Sequence, residues 1–233
     1  MKKSKLITLS TLFCAVIMQA FTFFNSSSVY YENGFAIGIS NQSKNYDVAF
    51  NLVLIFLPIV FILFFFSGTI QEITQGYGKL LIIRSYSKTK LILKRLFRNS
   101  GLLLLMVLLQ CAVFLFVNSS LIRVEKGMFQ SLIMYFIILH SIIMLQSFLE
   151  LYITPQNTSI ILLIYSFASY YIVQVTEENV LIKILLFPCL MFGMQNGAVS
   201  GENIYYVYLC IGVILNVILV LLCVHKFKKI DIF

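Results

Sequence analysis

The stretch "QEITQGYGKLLIIRSYSKTKLILKR", residues 71–95, decides how the rest of the chain is read. It is the only long polar stretch in a chain of 233 residues that is 60% hydrophobic and 11% charged. Soluble domains carry roughly 25% charged residues. Together with a mean hydropathy of +0.95, this composition is that of a membrane protein. Within the stretch, Lys79, Arg84, Lys88, Lys90, Lys94 and Arg95 stand against one acid, Glu72.

A bilayer core about 30 Å thick needs roughly 20 apolar residues per helix. Moving outward from residues 71–95 with that window, the expected spans are Leu6–Phe24, Val48–Ser67, Leu102–Asn118, Met128–Phe148, Ser159–Val175 and Ile204–Val224. A shorter run, Val180–Met194, contains Lys183 and Pro188 and is followed by Gln195, Asn196 and Gly197. It reads as a re-entrant half-span between helices five and six. The expected fold is an all-α polytopic membrane protein. One domain covers residues 1–233, with six transmembrane helices, a central loop at 68–100 and a re-entrant segment at 180–197.

Lys and Arg set the expected orientation. All of them except Lys44, Arg123, Lys126 and Lys183 fall in the N-terminal tail, the central loop or the C-terminal tail. The positive-inside rule then places both termini and the central loop in the cytoplasm of a multi-pass plasma-membrane protein. Residues 1–24 read as a retained span, because the apolar run is long for a signal peptide and no small-x-small cleavage site follows it. The net charge of +8 points to anionic lipid headgroups as partners. No recognised nucleic-acid-binding motif accompanies it, so no nucleic acid is expected.

Several chemistries lack their residues. Cys14, Cys111, Cys189, Cys210 and Cys223 form no CxxC pair, so neither a metal site nor a disulfide framework is expected. All nine acids lie outside the interiors of the expected spans. That leaves His140 as the one ionisable group at depth, read as bonded to a neighbouring helix rather than as part of a relay. There is no HExxH, no GxSxG and no GxxxxGK[ST]. The chain is therefore not expected to be an enzyme or to hold a cofactor, and any ATP hydrolysis must come from a separate subunit.

The stretch itself divides into parts. Gly76 and Gly78 flank Tyr77 and predict a turn. Leu80–Ile83 then form an apolar run in a polar setting, which marks a partner site. Ser87 is placed to cap a helix from Lys88 to Arg98. Lys90, Lys94 and Arg98 form one stripe of that helix and Ile92, Leu93 and Leu96 another, so it is expected to lie at the membrane interface and feed the third span.

These residues resemble the signature of ABC-2 type permeases, the membrane subunits of one class of ATP-driven exporters. Glu72, Gly76, Lys79, Leu80, Leu81, Ser87, Lys88 and Arg95 match it in order and spacing. Ser85 stands where Pro is common, and Gly78 where an aliphatic residue is usual. The topology is also that of the family. The resemblance implies that Glu72, Gly76, Tyr77, Gly78, Lys79, Leu80, Leu81, Arg84, Ser87 and Lys88 couple the membrane helices to a cytoplasmic ABC ATPase subunit. Glu72 would pair with a nearby Lys or Arg or cap free amides. A second copy or a homologous permease would complete the pathway. The resemblance also implies a cargo class, hydrophobic or cationic peptide, as in bacteriocin export or self-immunity. Two alternatives stay open. One is an ATP-independent channel or secondary carrier, although Gln19, Asn51, Gln110, Gln130, His140, Gln146, Gln174 and Asn216 are scattered over the six expected helices. The other is a non-transporting membrane immunity or interaction protein.

Overall fold

The computed structural model describes residues 2–25, 47–75, 87–117, 126–176, 180–198 and 203–229, and every regular element among them is helical. The long helices are α1 (Lys2–Asn25), α2 (Asp47–Phe66), α4 (Lys88–Val117), α5 (Lys126–Leu149), α6 (Pro155–Thr176) and α9 (Ile204–Lys229). Between them lie the short α3 (Gln71–Gln75), α7 (Val180–Leu185) and α8 (Gly193–Asn196), with a 3-10 turn at Phe187–Met191.

Among the described residues, four stretches are long and apolar enough to cross a membrane: Val53–Ile73, Lys88–Phe116, Gly127–Leu149 and Ile204–Lys229. They coincide with the expected second, third, fourth and sixth spans. In α1 the apolar helix Ile7–Phe21 is shorter. Helix α6 opens on Pro-Gln-Asn-Thr-Ser and is interrupted by Tyr165, Ser166, Ser169, Tyr170 and Tyr171, which lowers its apolarity.

Helix α5 is the centre of the bundle. Met134, Ile138, Leu139, Ser141 and Ile142 are wholly buried on it. Helix α9 packs along α5, and α4, α6, α8 and the 3-10 turn also contact α5. Gly212 makes the α5–α9 approach possible, since a Cβ there would meet Ile137 Cγ2 at 3.0 Å. Phe56, Tyr170 and Phe192 form an edge-to-face cluster, with centroids 4.9–5.9 Å apart, that joins α2, α6 and the broken segment.

Inside and outside are distributed as lipid demands. Gln19, Gln110, Ser131, Gln146, Ser159 and Asn196 are buried, while Phe97, Leu105, Phe116, Ile164, Tyr171 and Leu221 are exposed. Ser131, Ser141, Ser159 and Ser166 turn their hydroxyls back onto the carbonyls four residues earlier, at 2.8–3.0 Å. Such self-satisfied small side chains let helices approach closely where no water is available.

Two elements differ in detail from expectation. Residues 88–98 do not form a helix of their own; α4 runs unbroken for 30 residues through Gly101. A single glycine costs a helix interior only about 1 kcal/mol, and nothing near Gly101 forces a bend. The run 180–198 contains no helix longer than six residues. Pro188 sits in the first turn of the 3-10 piece, where its missing N–H is harmless. Gly197, at φ +79°, closes α8 in the left-handed region.

Candidate functional site

Helix α2 ends where Gly68 takes φ +76°, a conformation that costs a residue with a Cβ about 1–2 kcal/mol. The chain turns through Ser67–Ile70 and starts again as α3. A helix start leaves backbone amides without carbonyl partners. Here Gly68 N donates to Glu150 Oε1 at 2.9 Å and Ile70 N to Glu150 Oε2 at 3.2 Å. The carboxylate that caps this turn therefore comes from the end of α5, some 80 residues away. Asn99 Nδ2 on α4 donates to the buried Thr69 hydroxyl at 3.2 Å.

Glu72 on α3 forms an ion pair with Arg95 on α4. The side chains are 19% and 11% exposed, so water screens the pair only in part. Removing either partner leaves a shielded charge, at about 2 kcal/mol or more. Beneath this layer Ile70, Ile92, Leu96, Met144, Cys223 and Phe227 form an apolar cluster from the turn, α4, α5 and α9. Lys226 Nζ stands 4.4 Å from the centre of the Tyr152 ring, tying the end of α9 to the turn after α5. The result is a junction that locks the end of α2, the start of α4 and the ends of α5 and α9 together.

The expected coupling residues distribute as follows. Glu72 lies inside the junction, paired with a base. Ser87 precedes α4, and its carbonyl accepts the Leu91 amide at 3.1 Å. Lys88 opens α4, and Lys90, Lys94 and Arg98 are exposed on it. Gly76, Tyr77, Gly78, Lys79, Leu80, Leu81 and Arg84 lie outside the described residues. The structure adds Gly68, Thr69, Asn99 and Glu150, which sequence reasoning missed. A signal for Glu150 existed: apart from Asp231 near the C-terminus, Glu72 and Glu150 are the only acids in the segments read as cytoplasmic.

Deeper in the bundle, polar side chains scattered in sequence come together. Gln110 Nε2 donates to Gln19 Oε1 at 2.9 Å, and the Tyr135 hydroxyl donates to Gln110 Oε1 at 3.3 Å. Gln146 Nε2 donates to Ser159 Oγ and to Leu63 O, both at 3.0 Å. Asn216 Nδ2 lies 2.8 Å from Ser141 Oγ, 3.0 Å from Gly212 O and 3.1 Å from Ile137 O. That orientation turns Asn216 Oδ1 to His140 Nδ1 at 2.5 Å, so Nδ1 donates, and His140 Nε2 meets Ser100 Oγ at 2.6 Å. His140 thus bridges α4, α5 and α9. Among the described residues, no group of three or more His, Cys, Asp or Glu side chains is placed to hold a metal.

A family model described as "Protein of unknown function (DUF2705)" matches residues 12–233, and the chain belongs to that family. The chain is also similar to the "Uncharacterized protein YybK" of Bacillus subtilis (strain 168), at 29% identity over 239 residues, covering 93% of this chain and 92% of that protein. No solved structure matches.

Proposed function

We propose that this member of the DUF2705 family is the transmembrane permease subunit of an ABC-type exporter, working with a separate cytoplasmic ATPase. The observation that carries this reading is the junction. Residues 76–86 connect α3 to α4, and both of their flanks are fixed there, by Glu72–Arg95 on one level and by the apolar cluster beneath. A load applied to that segment passes directly to α4, α5 and α9. Coupling needs an element of this kind, which nucleotide biases from one side and cargo from the other.

In this reading α1 and α6 complete a set of six spans, the basic end faces the cytoplasm, and both termini lie there. Residues 180–197 re-enter the membrane without crossing it. Supporting this, Phe187 to Phe192 are all buried, and irregular backbone at membrane depth is tolerated where protein covers it. The protein dimerises with itself or a sister permease, and the cargo is a hydrophobic or cationic peptide, exported for delivery or self-immunity. A second reading, a secondary carrier, draws on the His140–Ser100–Asn216 cluster, a titratable group bonded across three helices at depth.

The test is co-purification of the tagged chain from its native membrane. An ABC ATPase should accompany it, and Tyr77→Ala with Leu81→Ala should remove the ATPase while membrane level holds. Cargo movement by the purified chain in vesicles without any ATPase would replace this reading with the carrier.

A further inference from the structure

Beside the junction, α4, α5 and α9 leave an open groove of about 450 Å³, walled by Leu93, Leu96, Phe97, Met144 and Val220 together with Lys94. Its size falls within the range of about 300–1,000 Å³ typical of small-molecule sites. Phe97 is 82% exposed and Leu93 43% exposed, so a large apolar surface is left open. The one hydroxyl in the groove, Ser100, is already engaged by Leu96 O at 3.0 Å and His140 at 2.6 Å. Lys94 is therefore the polar group that remains to meet a ligand.

The charge around the groove is one-sided. Lys90 and Arg98 lie one turn to either side of Lys94, and both are exposed. Of the described acids at this end of the bundle, Glu72 is paired with Arg95 and Glu150 holds the Gly68 and Ile70 amides. Along α4, Leu93, Phe97 and Ser100 follow one another on a single face, away from the basic end and toward the apolar half of the helix. An occupant must therefore be anionic at the Lys94 end and apolar beyond it. A cationic peptide is repelled, and an uncharged lipid leaves Lys94 without a counter-ion.

We infer that the groove is a binding site for an anionic phospholipid, with its phosphate against Lys94 and an acyl chain along Leu93 and Phe97. The inference requires only that the chain resides in a membrane and does not depend on the exporter reading.

The chain has no Trp, so Phe97→Trp places a lone indole in the groove. The full-length variant is reconstituted into phosphatidylcholine vesicles carrying equal mole fractions of either brominated phosphatidylglycerol or brominated phosphatidylcholine, and quenching is measured. The anionic quencher should be enriched about fivefold over the neutral one, the size expected for one basic side chain beside an anionic headgroup. Adding Lys94→Gln should bring the ratio to about one, while Lys228→Gln on the C-terminal turn of α9 should leave it unchanged. Equal quenching by the two lipids before Lys94 is altered overturns the proposal. So does a ratio that survives Lys94→Gln, since general surface charge then accounts for it. An indole shielded from both quenchers also overturns it, and assigns the groove to contact with a second copy.

Discussion

At the junction, beside the neutral Asn99–Thr69 pair, charged groups make the main polar contacts: Glu72 meets Arg95, and the Glu150 carboxylate holds two backbone amides. Inside the bundle the polar partners are amides, hydroxyls and one imidazole, in the Gln19–Gln110–Tyr135, Gln146–Ser159 and Ser100–His140–Asn216 groups. The difference follows the penalty for moving charge away from water. A carboxylate is affordable where headgroups and solvent lie close, whereas at depth even paired ions fail to recover their desolvation. The two regions therefore hold the helices together with different strength. The junction resists displacement, while the interior groups set which helix faces meet.

The comparison can be broken most forcefully through packing. Gly212→Leu puts a branched side chain where a single Cβ already stands 3.0 Å from Ile137, so α5 and α9 must separate, at about 3 kcal/mol. Thermal unfolding in detergent should drop well below wild type, while Gly101→Leu, with open space around its Cβ, should leave it level or slightly raised. Equal loss in both variants would mean that the close approach at Gly212 has no special weight, since helix propensity alone favours leucine at both positions.

Arg95→Ala comes next. It removes the cation paired with Glu72, whose carboxylate side chain is only 19% exposed, and should lower stability by about 2 kcal/mol. Glu72→Ala combined with Arg95→Ala should recover part of that loss. If the double variant is no better than Arg95→Ala alone, the pair contributes nothing as a pair.

Asn216→Leu should have the smallest effect, about 1 kcal/mol, in keeping with hydrogen bonds between membrane helices. A loss larger than that of Arg95→Ala would reverse the ranking of the two regions.

The helices were legible in the sequence wherever apolar residues run with little interruption, as in Val53–Phe66 and in Ile204–Val224 with its one Asn216, because length and hydropathy alone identify a spanning segment. Helix α6 was less so, since Ser166, Ser169 and three tyrosines dilute its apolarity, and of these Ser166, Ser169 and Tyr170 are buried in the bundle. The amphipathic start of α4 was visible, but its continuity was not. Glycine at 101 and the change from basic to apolar composition look like a boundary, and only packing on α5 and α9 decides that none exists. Of the site, an acid at 72 seeking a base was readable from the shortage of acids at that end. The same shortage singled out Glu150, but its role as a cap was not readable, because its partners are main-chain amides that carry no side-chain signature. The interior clusters were invisible for a similar reason: Gln19 and Gln110 are 91 positions apart, and pairing at that distance is set by the fold.

The Glu150 cap also has a consequence for biogenesis. Its acceptor oxygens lie 82 and 80 residues downstream of the Gly68 and Ile70 amides they satisfy. At roughly 5–20 residues per second on the ribosome, the end of α2 waits on the order of 10 s for its cap. The apolar layer beneath is finished only when Phe227, near the end of α9, arrives. During that interval the turn at 67–70 must be served by water, lipid headgroups or the insertion machinery. The first hairpins therefore enter the membrane with an unfinished end, and the junction closes last.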